Sequence, residues 1–203
     1  MTALVVATDA PLVLGPAQGH WSYADWERLP AEGRRYEIID GVLYMTTAPS
    51  TFHQWIIRRL ERYIGIPAED GQLAYCFPAP IGVLMAGCDP VQPDYVLVLH
   101  ARSAIIRNGR IRGVPDLIVE VISPGSRAYD ERIKLQAYAA AGVPEYAIID
   151  PQTRSLSWYR LEAPDRYAAP IIATADESVT FACLPTIMLR VGDLFSGAPD
   201  VSL

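Results

Sequence analysis

The segment Val114-Pro-Asp-Leu-Ile-Val-Glu-Val-Ile122 is almost unbroken in β-branched and aliphatic residues. A run of this kind reads as a strand covered on both faces, so the chain must build a layer on each side of it. Two acids interrupt the run. With a period of two, Asp116, Ile118, Glu120 and Ile122 point one way. Glu120 is flanked by Ile, Val, Val and Ile. An ionised carboxylate there is expensive unless it is paired or binds a metal.

The chain has 203 residues, enough for one domain with a real core. Hydrophobic residues make up 51% and charged residues 20%, a globular balance. The net charge of −6 speaks against a broad basic surface of the kind that binds nucleic acid non-specifically. It does not speak against nucleic acid as a substrate, because a metal ion reverses the field at an acidic site. Cys76, Cys88 and Cys183 are odd in number and lack zinc-ligand spacing, so buried thiols in a reducing cytoplasm are expected. Met1 to Gln18 has no basic leader and does not read as a signal peptide. No apolar stretch is long enough for a membrane span. Residues 1–19 read as a tail and 20–198 as a single domain.

Ser22 is placed to cap a short helix from Tyr23 to Leu29. Asp40-Gly41 between two β-rich runs, Arg35 to Ile39 and Val42 to Thr47, is a strong hairpin signal. A helix from Thr51 to Ile64 follows, with Ile57, Leu60 and Ile64 as its apolar stripe and His53 near its start. Strands are expected at Gln72–Phe77, Pro80–Met85, Val91–Leu99, Val114–Ile122, Glu145–Asp150 and Leu156–Leu161, with edge strands at Val179–Ala182 and Ile187–Leu189. Ser126 is placed to start a second helix, which Gly142 ends. The fold class is α/β or α+β: a mixed β-sheet core flanked by helices, with an N-terminal β-hairpin.

Lys134 is the only lysine; the other sixteen basic residues are arginine. It lies on the second helix with Asp130 and Tyr138 at i, i+4 and i+8, on one face. A tight Ser-Pro-Gly-Ser turn joins this helix to the Glu120 strand, so Lys134 can reach back toward the carboxylates. Asp94, at the head of Tyr-Val-Leu-Val-Leu, and Glu120 form a pair from neighbouring strands suited to Mg²⁺ or Mn²⁺. Glu37 on the hairpin is a third acid. The plain alternative for Lys134 is an exposed pair with Asp130, a link of about 0.2–0.5 kcal/mol.

The ordered set Tyr36-Glu-Ile-Ile-Asp40-Gly41, Pro49-Ser50 with His53, Gln92-Pro-Asp94, Gly113-Val-Pro-Asp116-Leu-Ile-Val-Glu120-Val-Ile-Ser-Pro124, Asp130 with Lys134 and Tyr138, Gly142-Val-Pro-Glu145-Tyr, and Asp150-Pro151 resembles the Uma family. That family is a group of restriction-endonuclease-like proteins within the PD-(D/E)xK superfamily, also described as a domain of unknown function. The resemblance covers about residues 20–196. It implies a restriction-endonuclease-like fold and a Mg²⁺- or Mn²⁺-dependent nuclease (a hydrolase) acting on nucleic acid, DNA first. By resemblance, Asp94 and Glu120 hold the metal, with the Val121 backbone carbonyl as a further ligand. Glu37 supports the metal or a water, and Lys134 positions the attacking water. His53 and Tyr138 support these groups, and Asp116 either adds a ligand or merely mimics the motif. The superfamily lysine, two residues after the second acid, is Ile122 here, so Lys134 would be its migrated replacement. Arg107, Arg110 and Arg112, in the basic loop 102–112, are the local candidates for phosphate contact. A homodimer is the expected assembly. The competing readings are a non-catalytic binding or assembly protein that retains the fold, and a hydrolase of another phosphate ester.

Overall fold

Asp40 and Gly41 turn the chain with positive φ at both positions, 49° and 72°, as a two-residue hairpin requires. They join β1 (Arg35–Ile39) to β2 (Val42–Thr46), which pair antiparallel. A Cβ on Gly41 would also meet the Gly19 carbonyl oxygen at 2.5 Å. The computed structural model describes residues 5–6, 14–30, 35–46 and 48–202. Most of the expected tail, and Thr47 at the end of the hairpin, lie outside the described residues. Val5–Val6 pairs with β2. The first helix is shorter than its sequence suggests, Tyr23–Trp26, with the Ser22 amide donating to Asp25 at 3.0 Å.

The Ser50 hydroxyl accepts from the His53 amide and caps α1 (Thr51–Leu60). The sequence pattern ends this helix near Ile64. In the structure it runs on through a π-helical turn, Glu61–Gly65, into a short helix, Ile66–Asp70. Pro67 follows directly on the π turn, where the Ile66 amide bonds back five residues to the Glu61 carbonyl.

Then follow β3 (Ala74–Pro78), β4 (Val83–Met85), β5 (Cys88–Val91) and β6 (Tyr95–Leu99). The stretch Val91–Leu99, expected as one strand, is divided. Gln92-Pro93-Asp94 is a corner that carries the chain from one sheet into another. Pro93 has no amide for a ladder, and the Gln92 amide is given to Glu37 at 2.6 Å. β7 (Leu117–Val121) is buried at every position, as its composition demands. A π-helical segment, Tyr129–Lys134, and α2 (Leu135–Ala141) then cross over to β8 (Glu145–Asp150), parallel to β7. Gly142 ends α2 in the left-handed conformation, φ 86°. β9 (Ser155–Ala163), β10 (Arg166–Tyr167) and β11 (Ile171–Thr174) complete this region; β11 escaped the sequence reading because Ile171 and Ile172 are both exposed and give no alternation.

Among the described residues the central sheet runs β10–β9–β8–β7–β6–β3, with β11 also on β9. The second sheet contains β2, β1, β5 and β4, extended by Arg110–Arg112 and Ile106–Arg107. Ser178–Val179 and Leu189–Arg190 pair separately. One face of the central sheet (Leu97, Val119, Ile149) packs on α1 and on Leu194 and Phe195. The other (Val96, Ile118, Ile148) packs on the second sheet and on the helix through Tyr129 and Tyr138. The architecture is therefore mixed α+β, with Glu120 facing the second of these layers. The three cysteines are free, and burial pushes the Cys76 and Cys88 thiols up to about 12, so both stay protonated. No helix among the described residues is long and apolar enough to cross a membrane.

Candidate active site

Five elements converge on one buried cluster. β1 brings Glu37, the corner before β6 brings Asp94, and β7 brings Glu120. The π-helical segment brings Asp130 and Lys134, and α1 brings His53. Glu37, Glu120, Asp130 and Lys134 are between 1% and 4% exposed.

Lys134 Nζ lies 2.9 Å from Glu120 Oε1, 3.3 Å from Glu37 Oε2 and 3.6 Å from Asp130 Oδ1. The exposed pair with Asp130 is therefore not what this lysine forms: its main partners are Glu120 and Glu37. Tyr138 donates to the same Glu120 oxygen at 3.0 Å. Tyr129 donates to Glu37 Oε2 at 3.1 Å, and its ring lies 5.1 Å from the ammonium. Asp94 Oδ2 accepts from the Val121 amide at 3.0 Å and meets His53 Nε2 at 2.9 Å. Asp94 Oδ1 lies 3.3 Å from Arg35 Nη1, and the Asp94 amide reaches Glu120 Oε2 at 3.3 Å. His53 Nδ1 is buried and has no hydrogen-bond partner among the described residues.

The local charge does not balance. Four carboxylates share one buried ammonium, a half-buried guanidinium and an imidazole. Burial pushes the Glu120 carboxyl well above its usual range; Lys134 opposes this, and Asp94, Asp130 and Glu37 reinforce it. Asp130 is raised to about 6, again by burial first, against Lys134. Asp94 goes the other way. Burial works against its charge, but His53, Lys134 and the Val121 amide overcome that and hold it well below the usual carboxylate range. Burial would lower the Lys134 pKa, yet Glu120, Glu37, Asp130 and Asp94 outweigh it and raise it well above normal. The surrounding acids thus favour the ammonium form of Lys134, which donates to Glu120 and Glu37.

The structure brings Glu37, Asp94, Glu120, Lys134, His53 and Tyr138 together. It does not bring Asp116 to them. Asp116 accepts from the Leu99 amide at 2.8 Å and from Arg102 at 2.7 Å, a strand-end anchor. Arg110 and Arg112 stack over Trp26 and Tyr23, at 5.6 and 5.2 Å. Their neighbour Ile111 packs in the layer that Glu37 and Lys134 face, so by strand alternation both arginines lie on the opposite face of that sheet. Arg107 is exposed beside them. Sequence reasoning missed Tyr129 and Arg35. Tyr129 is five residues before Lys134, which on an α-helix places it about 140° away. The i→i+5 π turn brings the two to one side, and nothing in the residue pattern announces a π turn.

A divalent cation requires hard oxygen donors. Among the described residues no group of three or more His, Cys, Asp and Glu is arranged as a metal cage. Mg²⁺ does not require one, since it commonly takes one or two carboxylates and keeps its waters. Among the described residues Asp94 Oδ1 and Glu120 Oε2 each make one contact, at 3.3 Å, which leaves lone pairs for a further partner. The amide and carbonyl of an extended residue project to the same strand edge, so the Val121 carbonyl faces the Asp94 side. The donor set and the surplus negative charge fit such an ion.

The mixed sheet thus carries Asp94 at the head of β6 and Glu120 on β7, beside Lys134 from the helical segment that follows. Residues 23–192 match the family described as "Uma2: Putative restriction endonuclease", and the chain belongs to that family. It is also similar to the "Crystal structure of a putative nuclease belonging to DUF820 from Anabaena variabilis ATCC 29413", with a TM-score of 0.73 at 19% identity, over 86% of this chain and 97% of that one. That likeness establishes the fold. No curated protein matches the sequence.

Proposed function

We propose that this chain is a Mg²⁺- or Mn²⁺-dependent endonuclease, with DNA as the first substrate to test, acting through a single domain over residues 20–198. The observation that carries the proposal is the surplus of buried carboxylate around Lys134. A folded protein keeps like charges together out of water at a cost of several kcal/mol, and a cation at the site removes that cost. Membership in a family described as a restriction endonuclease supports the same reading.

Asp94, Glu120 and the Val121 carbonyl would hold the ion, with Glu37 behind them. Bound there, it supplies charge neutralisation at the scissile phosphate and lowers the pKa of water. The chain's own groups then have distinct tasks. Lys134 keeps its proton, and its 3.6 Å contact with Asp130 is the longest of its three. That contact is the one readily exchanged for a water or a phosphate oxygen, which Lys134 then orients and partly neutralises. Tyr138 and Tyr129 hold the Glu120 and Glu37 carboxyls in place. His53 fixes the Asp94 carboxylate from the α1 side.

The second reading, a binding or assembly protein that retains the fold, draws on one observation: Lys134 itself fills the space among three acids. Calorimetric titration of Mn²⁺ into wild type and Glu120→Ala separates the two. Binding lost in the variant, followed by cleavage lost in Lys134→Ala, supports the nuclease. Absence of binding to the wild type, with an oligonucleotide present, sinks it and leaves the assembly reading ahead.

A further inference from the structure

β1 opens with Arg35, and Arg35, Glu37 and Ile39 share one face of it, the face turned to the buried cluster. Glu37 lies deep, against Lys134 and Tyr129. Arg35 lies about 7 Å further along, at the strand's end. Its Nη1 is 3.3 Å from Asp94 Oδ1. The side chains of Glu37, Glu120, Asp130 and Lys134 are 2–5% exposed, whereas that of Arg35 is 22% exposed and those of Asp94 and His53 are each 11% exposed. Solvent therefore reaches the cluster on the Arg35–Asp94–His53 side, and a substrate arrives from there. Among the described residues, Arg28, Arg102, Arg127, Arg166 and Arg190 pair with carboxylates outside the cluster. Arg35 is the arginine whose partner belongs to it.

Asp94 Oδ1 is also an oxygen offered to the proposed cation. The Arg35 contact with it is long and partly solvated, the kind of pair that contributes little. A cation entering there competes with Arg35 for that oxygen and repels its charge. A planar guanidinium binds a phosphate through two parallel N–H bonds, a stronger contact than the one given up. A phosphate that meets the cation thus presents its other oxygens to a guanidinium already beside it. We infer that Arg35 grips the scissile phosphate, and that it reaches that phosphate by giving up Asp94 Oδ1 to the cation. The inference rests on the endonuclease reading and adds the side chain that exchanges the site's own carboxylate for substrate. It carries a signature that a merely structural arginine lacks: removing Arg35 moves cation affinity and substrate affinity in opposite directions.

The test measures both affinities on the same variants. Mn²⁺ is titrated by calorimetry without DNA, and a labelled DNA duplex by fluorescence anisotropy in Ca²⁺ across a salt series. Wild type is compared with Arg35→Ala, Arg35→Lys and the control Arg166→Ala. Circular dichroism melts verify folding, and Arg35→Gln replaces an alanine variant that does not fold. In Arg35→Ala, Mn²⁺ binds a few-fold tighter and DNA binds about three- to tenfold weaker. The slope of log K against log salt becomes shallower by about 0.9, the share of one phosphate contact. Arg35→Lys retains the wild-type slope, and Arg166→Ala matches wild type in both measurements. If Arg35→Ala binds DNA with unaltered affinity and slope, the inference is wrong and the endonuclease reading stands. If Mn²⁺ and DNA weaken together, Arg35 is framework for the cation site and the inference is wrong again. If the lysine variant loses the slope as well, the effect is not charge and the outcome is the same. If wild type binds neither Mn²⁺ nor the duplex, the endonuclease reading falls and the inference falls with it.

Discussion

Asp116 and Glu120 stand four residues apart on the same face of β7, and their surroundings differ completely. Asp116 has one guanidinium, one backbone amide, and a partner, Arg102, whose side chain is 40% exposed. Its charge is balanced at the edge of the sheet. Glu120 shares a single buried ammonium with two further acids and has Asp94 close by. The first arrangement ties a strand end to the loop after β6. The second crowds more carboxyls than cations in the interior, which stabilises nothing by itself and is what the proposed cation would offset. Both are carboxylates of the same strand parity; the elements that converge on each position make the difference.

The largest expected effect tests this contrast directly. Glu120→Gln and Lys134→Met each lower cleavage of DNA by about 10²–10³ or more, the usual loss when one transition-state donor is removed. Asp116→Asn leaves cleavage within about twofold while lowering stability by about 1–3 kcal/mol, as for a lost buried hydrogen-bond partner. A folded Asp116→Asn protein without activity would break the contrast.

Next in size is the stability of Lys134→Met in metal-free buffer. Removing the only buried ammonium leaves the carboxylates unpaired, and urea unfolding near pH 8 should show a loss of about 3–5 kcal/mol. Part of that loss returns at pH 5, where the acids take up protons.

The wild type itself should show a smaller pH dependence of the same origin. The Asp130 carboxyl goes from 3.8 to about 6 on folding. Between those values the native state binds more protons than the unfolded chain, so metal-free stability falls as pH rises through that window. One extra bound proton gives a slope of at most about 1.4 kcal/mol per pH unit. Mn²⁺ should flatten the slope. Thermal melts from pH 4 to 7, with and without the ion, measure both; a rising stability in the absence of metal would contradict the assignment of surplus charge.

Tyr129→Phe removes one hydrogen bond to Glu37 and should lower stability by about 1 kcal/mol. The smallest effect is expected for Arg35→Ala. It frees Asp94 Oδ1 of a weak, partly solvated partner, so Mn²⁺ affinity by calorimetry should rise by a few-fold, in line with the modest worth of such pairs. A weaker Mn²⁺ complex would instead make Arg35 part of the ligand framework.

Much of this arrangement was legible in the residues. The covered strand was visible in Val114–Ile122 because burial on both faces leaves no polar alternation. The hairpin was visible in Asp40-Gly41 because its turn requires positive φ. Asp94 and Glu120 were legible as acids that a strand cannot bury alone, while Glu37 and Lys134 joined them through the hairpin, the tight turn after β7 and the family resemblance. The corner at Gln92–Asp94 was not legible, since Val91 and Tyr95–Leu99 read as one β-rich run and only tertiary pairing divides them. Tyr129 stayed hidden behind a π turn that has no periodic signature. The placement of Arg110 and Arg112 depended on which face of a two-residue-period strand meets the core, and the loop composition was silent on that.

The Gln92-Pro93-Asp94 corner has one more consequence. It is a staple: the Gln92 amide is bound to an acid of one sheet, while the Asp94 carboxylate is bound to a strand amide, Val121, of the other. Separating the layers pulls on both ends of three consecutive residues, so the sheets cannot move apart without disturbing the cluster. Hydrogen exchange would register this as a shared opening rate at Gln92 and Val121. A chain whose layers part therefore also loses the placement of Asp94 beside Glu120.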